Sequence, residues 1–366
     1  MAQYRVLFVE FATGGVWGEL PVSEVRCTSV ASGVGAATLV TDLVSFPWSV
    51  LTPWRTLLYV QRGQQVIWGG PLLGFAVDLE SGRVTLSAVG LWEYYRRRQI
   101  TRTVTFTQLD QGLIARRLVE DYADGTGSIP WNTGPAALRW DGSEVTGVPR
   151  DRTYYAHERK GVGQAVEALG AVADGFGFRI DYGWLGGRIT NTVHLYPPGG
   201  EPTDVVLEHG ATATIPSLTV DGAAMATEAA VTGSGDAETQ LVRWWYNLPA
   251  ETDPSRRIPR LSVVESHQDV TVPDTLTGYA RRLISAGAAA VTIPAVRLHP
   301  DTYPGPGDLR VGHQAQVRAA VAGHVLVDGT YMAAEVEIKA DGTGEETTVR
   351  MVPEEAFADV GTPATP

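Results

Sequence analysis

Seven histidines, one cysteine and a scatter of acids are the residues of this chain with chemistry to offer. The histidines are His157, His194, His209, His267, His299, His313 and His324. No two of them stand at metal-ligand spacing, and His157-Glu158 lacks the second histidine of a zinc-protease helix. Lone histidines need no metal to account for them. Cys27 is the only cysteine, so neither an internal disulfide nor a cysteine zinc cluster is available. Gly33-Val34-Gly35 lies in a strand-turn context with no helix after it, which rejects a dinucleotide loop. Gly233-Ser234-Gly235 is a turn, because a nucleophile elbow needs Gly-x-Ser-x-Gly. Asp121, Asp124, Asp151 and Glu158 are the carboxylates from which a glycosidase pair would have to come. That mechanism is set by a carboxylate separation that sequence does not carry, and solvated loop acids are the plainer reading. Arg96-Arg97-Arg98 suits a barrel edge, or acids on a neighbouring subunit, better than phosphate. No catalytic residue, cofactor site or metal site is therefore assigned, and no enzymatic activity is expected.

Composition narrows the class. The chain has 366 residues, 44% apolar and 19% charged, which is a core-forming composition. Its length points to two to four units. With 41 Gly and 22 Pro, turns are frequent and short strands are favoured over long helices. A net charge of −12 argues against generic electrostatic binding of nucleic acid, although an acidic wall suits DNA that slides past without sticking. The first residues, MAQYRVLFVEF, alternate like a strand and are too short and polar for a signal peptide. No apolar run reaches membrane-spanning length, so no membrane embedding is expected, and assembly in a cytoplasm is.

Periodicity and turn residues outline the elements. Leu57–Arg98, LLYVQRGQQVIWGGPLLGFAVDLESGRVTLSAVGLWEYYRRR, is a three-strand antiparallel meander turning at Arg62-Gly63-Gln64 and at Glu80-Ser81-Gly82. Trp17, Trp48, Trp54, Trp68 and Trp92 fit core and interface packing better than ligand stacking. Thr107–Asp110 has the form of a capping box opening a helix that carries Leu109, Leu113, Leu118 and Tyr122. Residues 124–152 read as a long irregular loop, either a contact element or a mobile segment, in which sugar binding is conceivable. A second helix is carried by Val162, Val166, Leu169 and Val172, with Gly175 suited to its C′ position. A hairpin then turns at Gly186-Gly187. After Pro197–Gly200 strands resume, residues 249–260 read as an exposed connection, and Pro273 opens a further helix. Two hairpins are predicted late in the chain, at Asp328-Gly329 and Asp341-Gly342, because Asp-Gly supplies the positive φ of a type I′ turn. The segment after Val352 is expected to fray.

The order of these pieces resembles the tail hub family of long-tailed actinobacterial bacteriophages, whose members are also described as minor tail or baseplate hub proteins. The resemblance rests on the meander with its Gly69-Gly70-Pro71 step and on the helices QLDQGLIARRLVEDY and VGQAVEALGAVADGFGFRIDY. It also rests on ATEAAVTGSGDAE, and on PGPGDLRVGHQAQV with the closing double hairpin. Many relatives read apolar-Gly-Asp where this chain has Val311-Gly312-His313, so any role for that acid is in doubt here. The family implies a mainly β fold: two β-barrel-like hub domains and a small two-helix α+β domain. Residues 1–100, completed by 197–235, would form the first barrel and 101–196 the α+β insertion. Residues 236–355 would form the second barrel with one helix, and 356–366 a flexible tail. It further implies a virion protein of the tail tip, a homotrimer that adapts tube symmetry and encloses the DNA-exit conduit. Its partners would be the distal tail ring protein, the tape-measure protein and tail-tip or fibre proteins, with phage DNA in transit. Heterologous contacts would close such a ring. The alternatives are another tail component, such as the distal ring protein itself, or a tail-tip cell-wall hydrolase or adhesin.

Overall fold

The computed structural model describes residues 4–122, 137–172, 174–236, 239–254, 257–268, 270–288, 290–299, 302–354 and 362–364. Branched and aromatic residues alternating with polar ones make residues 4–89 mainly β. Its strands are β1 (Tyr4–Glu10), β2 (Val16–Leu20), β3 (Glu24–Val30), β4 (Ala36–Asp42), β5 (Thr56–Arg62), β6 (Gln65–Asp78) and β7 (Arg83–Val89). They pair antiparallel in the order β2-β1-β5-β6-β7-β4-β3. The first and last strands of that path are neighbours in sequence, so the path curls into a barrel-like unit. β6 carries the curl: its first half pairs with β5 as far as Pro71, and its second half with β7 from Leu72 onward. At the crossing a Cβ on Gly70 would lie 1.8 Å from the Val89 carbonyl oxygen, so only glycine fits.

The chain then leaves the barrel for an insertion. Its elements are α1 (Trp92–Arg97), β8 (Val104–Asp110), α2 (Gln111–Tyr122), β9 (Leu138–Trp140), β10 (Pro149–Tyr154), α3 (Val162–Gly170), β11 (Gly177–Leu185) and β12 (Arg188–Tyr196). α2 and α3 sit where their apolar stripes predict, and β11 and β12 turn at Gly186 and Gly187, both with positive φ. Two expectations fail. Thr107–Asp110 does not cap a helix: these residues pair with β10, and only Asp110 caps, accepting the Gly112 N–H at 2.8 Å. The left-handed residue after α3 is Asp174, not Gly175. α1 is an element that strand periodicity concealed. The insertion packs Ile114, Leu118, Val166 and Phe178 onto the outer face of β1 and β5, against Val9, Leu57 and Tyr59. Tyr59 donates to Asn191 Oδ1 at 3.1 Å, and Tyr182 donates to the Gly69 carbonyl at 2.8 Å, which fastens the insertion to the crossing point.

β13 (Val206–Glu208) and β14 (Ala213–Asp221) come after the insertion. A second inserted unit comes next, with β15 (Glu228–Thr232), β16 (Val242–Tyr246), α4 (Leu248–Thr252), β17 (Ser262–Ser266) and α5 (Pro273–Gly287). The remaining strands are β18 (Val291–Leu298), β19 (Gln314–Val321), β20 (His324–Asp341), β21 (Gly344–Pro353) and β22 (Thr362–Ala364). Three boundaries differ from expectation. β13 and β14 pair with β19 and β18, so they complete the second barrel rather than the first. β15, β16 and β17 form their own sheet with α5 packed on it through Leu276, Ala280 and Ile284, so a second α+β unit interrupts that barrel. Within it, the exposed connection at 249–260 contains α4, whose N-cap Asn247 accepts the Ala250 N–H at 3.3 Å. Thr362–Ala364, expected in a flexible tail, pair with β16.

The strongest short hairpin signal also misled. Asp328-Gly329 lies inside β20, opposite Arg318 and Val317 of β19, and the chain turns at Ala322-Gly323, both with positive φ. Asp328 is held in the strand by Gln316, which donates to it at 2.7 Å, and by Arg318 at 3.3 Å. The chain does turn at Asp341-Gly342, with Asp341 opposite Gly344, but neither residue has positive φ, so the turn is not of the predicted type I′; Asp341 instead accepts the Thr343 N–H at 2.7 Å.

The two barrel units repeat one another. Strands β3, β4, β5, β6 and β7 correspond in order to β14, β18, β19, β20 and β21. Even the register irregularities agree: β6 slips against β7 between Leu72 and Gly74, and β20 slips against β21 between Ala333 and Glu335. β3 pairs with β20 from Val25–Ala340 to Val30–Glu335. Eight strands therefore run side by side as two four-strand sets, β14-β18-β21-β20 and β3-β4-β7-β6. One apolar cluster lies beneath both, containing Leu39, Trp68 and Leu86 from the first set and Val296, Val336, Val349 and Met351 from the second. Full burial of side chains of this size is worth about 1.5–3 kcal/mol each, so the shared core welds the two units together.

Candidate functional site

Alternation along the eight strands sends one set of side chains into that core and the other to solvent. The solvent face carries Thr28, Thr38, Ser87, Ala36 and Ala76, with Thr219 and Thr348 in the other set. These short side chains leave a smooth surface. Its charges are set across strands. Arg26 Nε lies 2.5 Å from Glu337, which also takes Lys339 at 3.1 Å. Arg83 reaches Glu24 at 3.0 Å, Arg350 reaches Glu335 at 3.3 Å and Arg297 reaches Glu346 at 2.8 Å. Burial alone would raise the Glu337 carboxyl, but the hydrogen bonds from Arg26 and Lys339 prevail and hold it below the usual carboxylate range. Asp42, Asp78 and Asp221 lie on the same face, so acids outnumber bases there. A phosphate chain meets no unmatched cation among these pairs, and hence gains little from counterion release.

The residues that the sequence singled out are dispersed. His209 Nδ1 accepts the Ile215 N–H at 3.0 Å, His267 stacks on Tyr279 at 3.8 Å, and His299 Nε2 lies 3.1 Å from Thr214. His157 is exposed beside Tyr155, and His324 is exposed at the β19–β20 turn. Asp151 engages both carboxylate oxygens with Gln108, at 2.7 and 3.1 Å, and Asp121 is exposed on α2. Asp124, and with it much of the loop expected at 124–152, lies outside the described residues. The described part holds β9 and β10. Arg96 lies 3.3 Å from Glu167, and Arg97 donates to Glu93 at 2.8 Å and covers Trp54 at 4.7 Å. These two arginines thus pair with carboxylates of their own chain, through the helix that sequence reading missed. Gly33–Gly35 form the turn from β3 to β4.

One convergence was not foreseen. Glu201 gathers Arg179 at 3.1 Å, His194 at 3.4 Å and His313 at 3.8 Å. Arg179 also meets Asp181, which Arg310 reaches at 3.1 Å, and His194 meets Asp141 at 2.6 Å. This network ties the β11–β12 hairpin to the start of β19. Burial, reinforced by Arg179, pushes the His313 imidazole down to about 4, so it is neutral near pH 7 and its Nδ1 accepts the Arg310 N–H at 3.4 Å. No single sequence signal joins residues 141, 179, 194, 201 and 313. Pairing of β11 with β12 and the bridge of Glu201 to His313 bring them together. The network contains no nucleophile, and among the described residues no three His, Cys, Asp or Glu side chains form a group able to hold a metal. A cavity of about 90 Å³ beside it, lined by Cys27, Trp68, Arg179 and Arg310, is small for a substrate. Among the described residues, no helix is long and apolar enough to cross a membrane.

No family model matches the sequence, and no curated protein does. Solved structures do match over nearly the whole chain. The tail protein of Neisseria meningitidis MC58 aligns with 97% of this chain and 98% of its own, at 13% identity and a TM-score of 0.62. The 43 kDa tail protein of prophage MuSo2 from Shewanella oneidensis aligns with 97% and 99%, at 10% identity and 0.60. Prophage tail protein gp18 of Listeria monocytogenes EGD-e aligns with 94% of each chain, at 11% identity and 0.53. At such identities the likeness is one of fold: the mainly β architecture with its α+β insertions is the fold of these tail proteins.

Proposed function

We propose that this chain is a structural protein of a phage tail. It is a homotrimeric hub at the tail tip whose smooth, charge-matched sheet face lines the conduit for DNA. The observation that carries the reading is the repeated four-strand set. Two sets per chain, in one continuous sheet, supply six sets from three copies, which suits a tube of six-fold symmetry. The neighbours with this fold are tail proteins, which supports the same reading. The excess of acids on the solvent face fits sliding rather than gripping. The projecting hairpin tips, with Trp184 and Leu185 in one and Val325 and Leu326 in another, are exposed apolar points suited to the distal ring, tape-measure or fibre proteins. Such a hub works by shape and contact area and catalyses nothing. Reconstruction of intact particles tests the reading. Three copies at the tail end, with Thr38 and Ser87 facing the lumen, are expected. Six copies, absence from the tail, or a collar of unmatched arginines around the lumen would overturn it.

A further inference from the structure

The sheet of the second α+β unit turns one face toward α5 and the other away from it. Alternation puts Ala229, Val231, Trp245 and Val263 on the α5 side, where they join its core cluster. Register sets the other side in rows. Trp244, Ala230 and Val264 stand directly opposite one another across β16, β15 and β17, and Tyr246, Glu228 and Ser262 form the adjacent row. Ala230 is buried between its larger neighbours, Trp244 is half-buried and Val264 is 69% exposed. The first row is therefore an apolar strip at the surface, and the second row lines it with polar groups.

Those polar groups are already fixed in place. The Tyr246 hydroxyl donates to Glu228, and Ser262 Oγ donates to the same carboxylate. The rings of Trp244 and Tyr246 lie 6.4 Å apart with their planes within 9° of parallel. The Arg260 guanidinium sits 5.5 Å from the Tyr246 ring centre, and Glu251 holds it through two hydrogen bonds of 3.1 and 3.0 Å. Groups ordered in advance lose little freedom when a ligand arrives.

We propose that this face binds a neutral polysaccharide, with the C–H side of a sugar ring against Trp244 and Val264 and its hydroxyls on Glu228 and Ser262. Its source is the surface of the host cell, a choice that rests on the tail reading above. A sugar ring offers an apolar side and a rim of hydroxyls, which matches an aromatic strip bordered by a carboxylate and a hydroxyl. Charge selects the neutral kind. Glu228 and Glu251 outnumber Arg260, so a phosphate-bearing or sulfated polymer meets net repulsion. Size argues against a protein partner. Three strands over the five residues of β15 make a patch of about 10 by 13 Å. A stable protein interface needs roughly 800 Å² on each side, whereas a short sugar chain fits this footprint.

The test runs the full-length chain through native gels containing glucan, mannan, galactan or arabinan, with dextran sulfate as the anionic control. Retardation is expected in at least one neutral gel and not in dextran sulfate. Trp244→Ala and Glu228→Gln should each weaken that retardation about tenfold. Val264→Glu, at a residue exposed in the chain, should weaken it to a similar degree with an unchanged thermal transition, which separates lost binding from lost folding. Trp184→Ala, at an exposed aromatic on the β11–β12 hairpin tip, should leave it intact. Free movement through every neutral gel, retardation by dextran sulfate alone, or equal retardation of the Trp244, Glu228 and Val264 variants overturns the site and leaves the hub standing. Sugar binding by a chain that particle reconstruction does not find in the tail overturns the hub and the host source together.

Discussion

Between β3 and β4 the first barrel unit uses the short turn Ala31–Gly35, while at the same point of the repeat the second unit places an entire α+β domain between β14 and β18. The strand framework, its order and its slips are the same in both. The difference teaches that the sheet is the invariant part of this molecule and that variation resides in the connections. The reason is physical. A strand inside the sheet must satisfy two neighbours and a core face at once, whereas a connection answers only to solvent. Among the described residues the framework differs at its edges: β3 pairs with β20, and β14 pairs on one side alone, with β18.

The comparison is easiest to break at the crossing strand. Gly70-Pro71-Leu72 in β6 occupies the place of Tyr331-Met332-Ala333 in β20. The first unit has no room for a methyl group at Gly70, and the second buries a tyrosine there. Gly70→Ala is expected to cost about 3 kcal/mol or more, and Tyr331→Phe no more than about 1 kcal/mol. Thermal unfolding followed by circular dichroism measures both. Equal, small losses would mean that the two crossings are packed alike.

The shared core is the next point of attack. Leu86 and Val349 hold equivalent places and are both fully buried. Leu86→Ala should lose about 3 kcal/mol and Val349→Ala about 2 kcal/mol, in line with the methylenes removed. Each variant should shift one cooperative transition of both barrels. Two separate transitions in the calorimeter would show that the β3–β20 weld does not couple the units.

The smallest effect concerns His313, which has no counterpart of its kind in the first unit. Its folded pKa of about 4 lies below the ordinary value of 6.5. Its neighbours are Arg179 and Arg310, which oppose protonation, and Glu201 and Asp181, which favour it. As pH falls from about 6.5 to about 4, the unfolded chain takes up a proton that the folded chain resists. Stability from this group is therefore complete above that window and is lost within it, by about 3 kcal/mol. Urea titrations across this range should show the wild-type slope reduced in His313→Asn. Parallel pH profiles for the two proteins would show that His313 plays no part in the pH dependence.

Local rules determined much of this molecule. Alternation marked β5, β6, β7, β11 and β12, and glycines marked their turns. Apolar stripes marked α2, α3 and α5, because those helices bury one face against a sheet. The order of these pieces was enough to expect a mainly β hub-like fold. Tertiary structure decided the rest. Asp328-Gly329 has the chemistry of a turn, yet it lies in a strand because β19 offers Gln316 and Arg318 to its aspartate and Ala322-Gly323 turns the chain instead. Asp110 caps a helix from within a strand because β10 pairs beside it. β14 belongs to the second barrel because β18, some seventy residues onward, completes its ladder. The Glu201 network and the charge-matched sheet face arise only when distant strands are placed side by side. Sequence carries the period of each strand, but which strand becomes its neighbour is settled by the core that both must share.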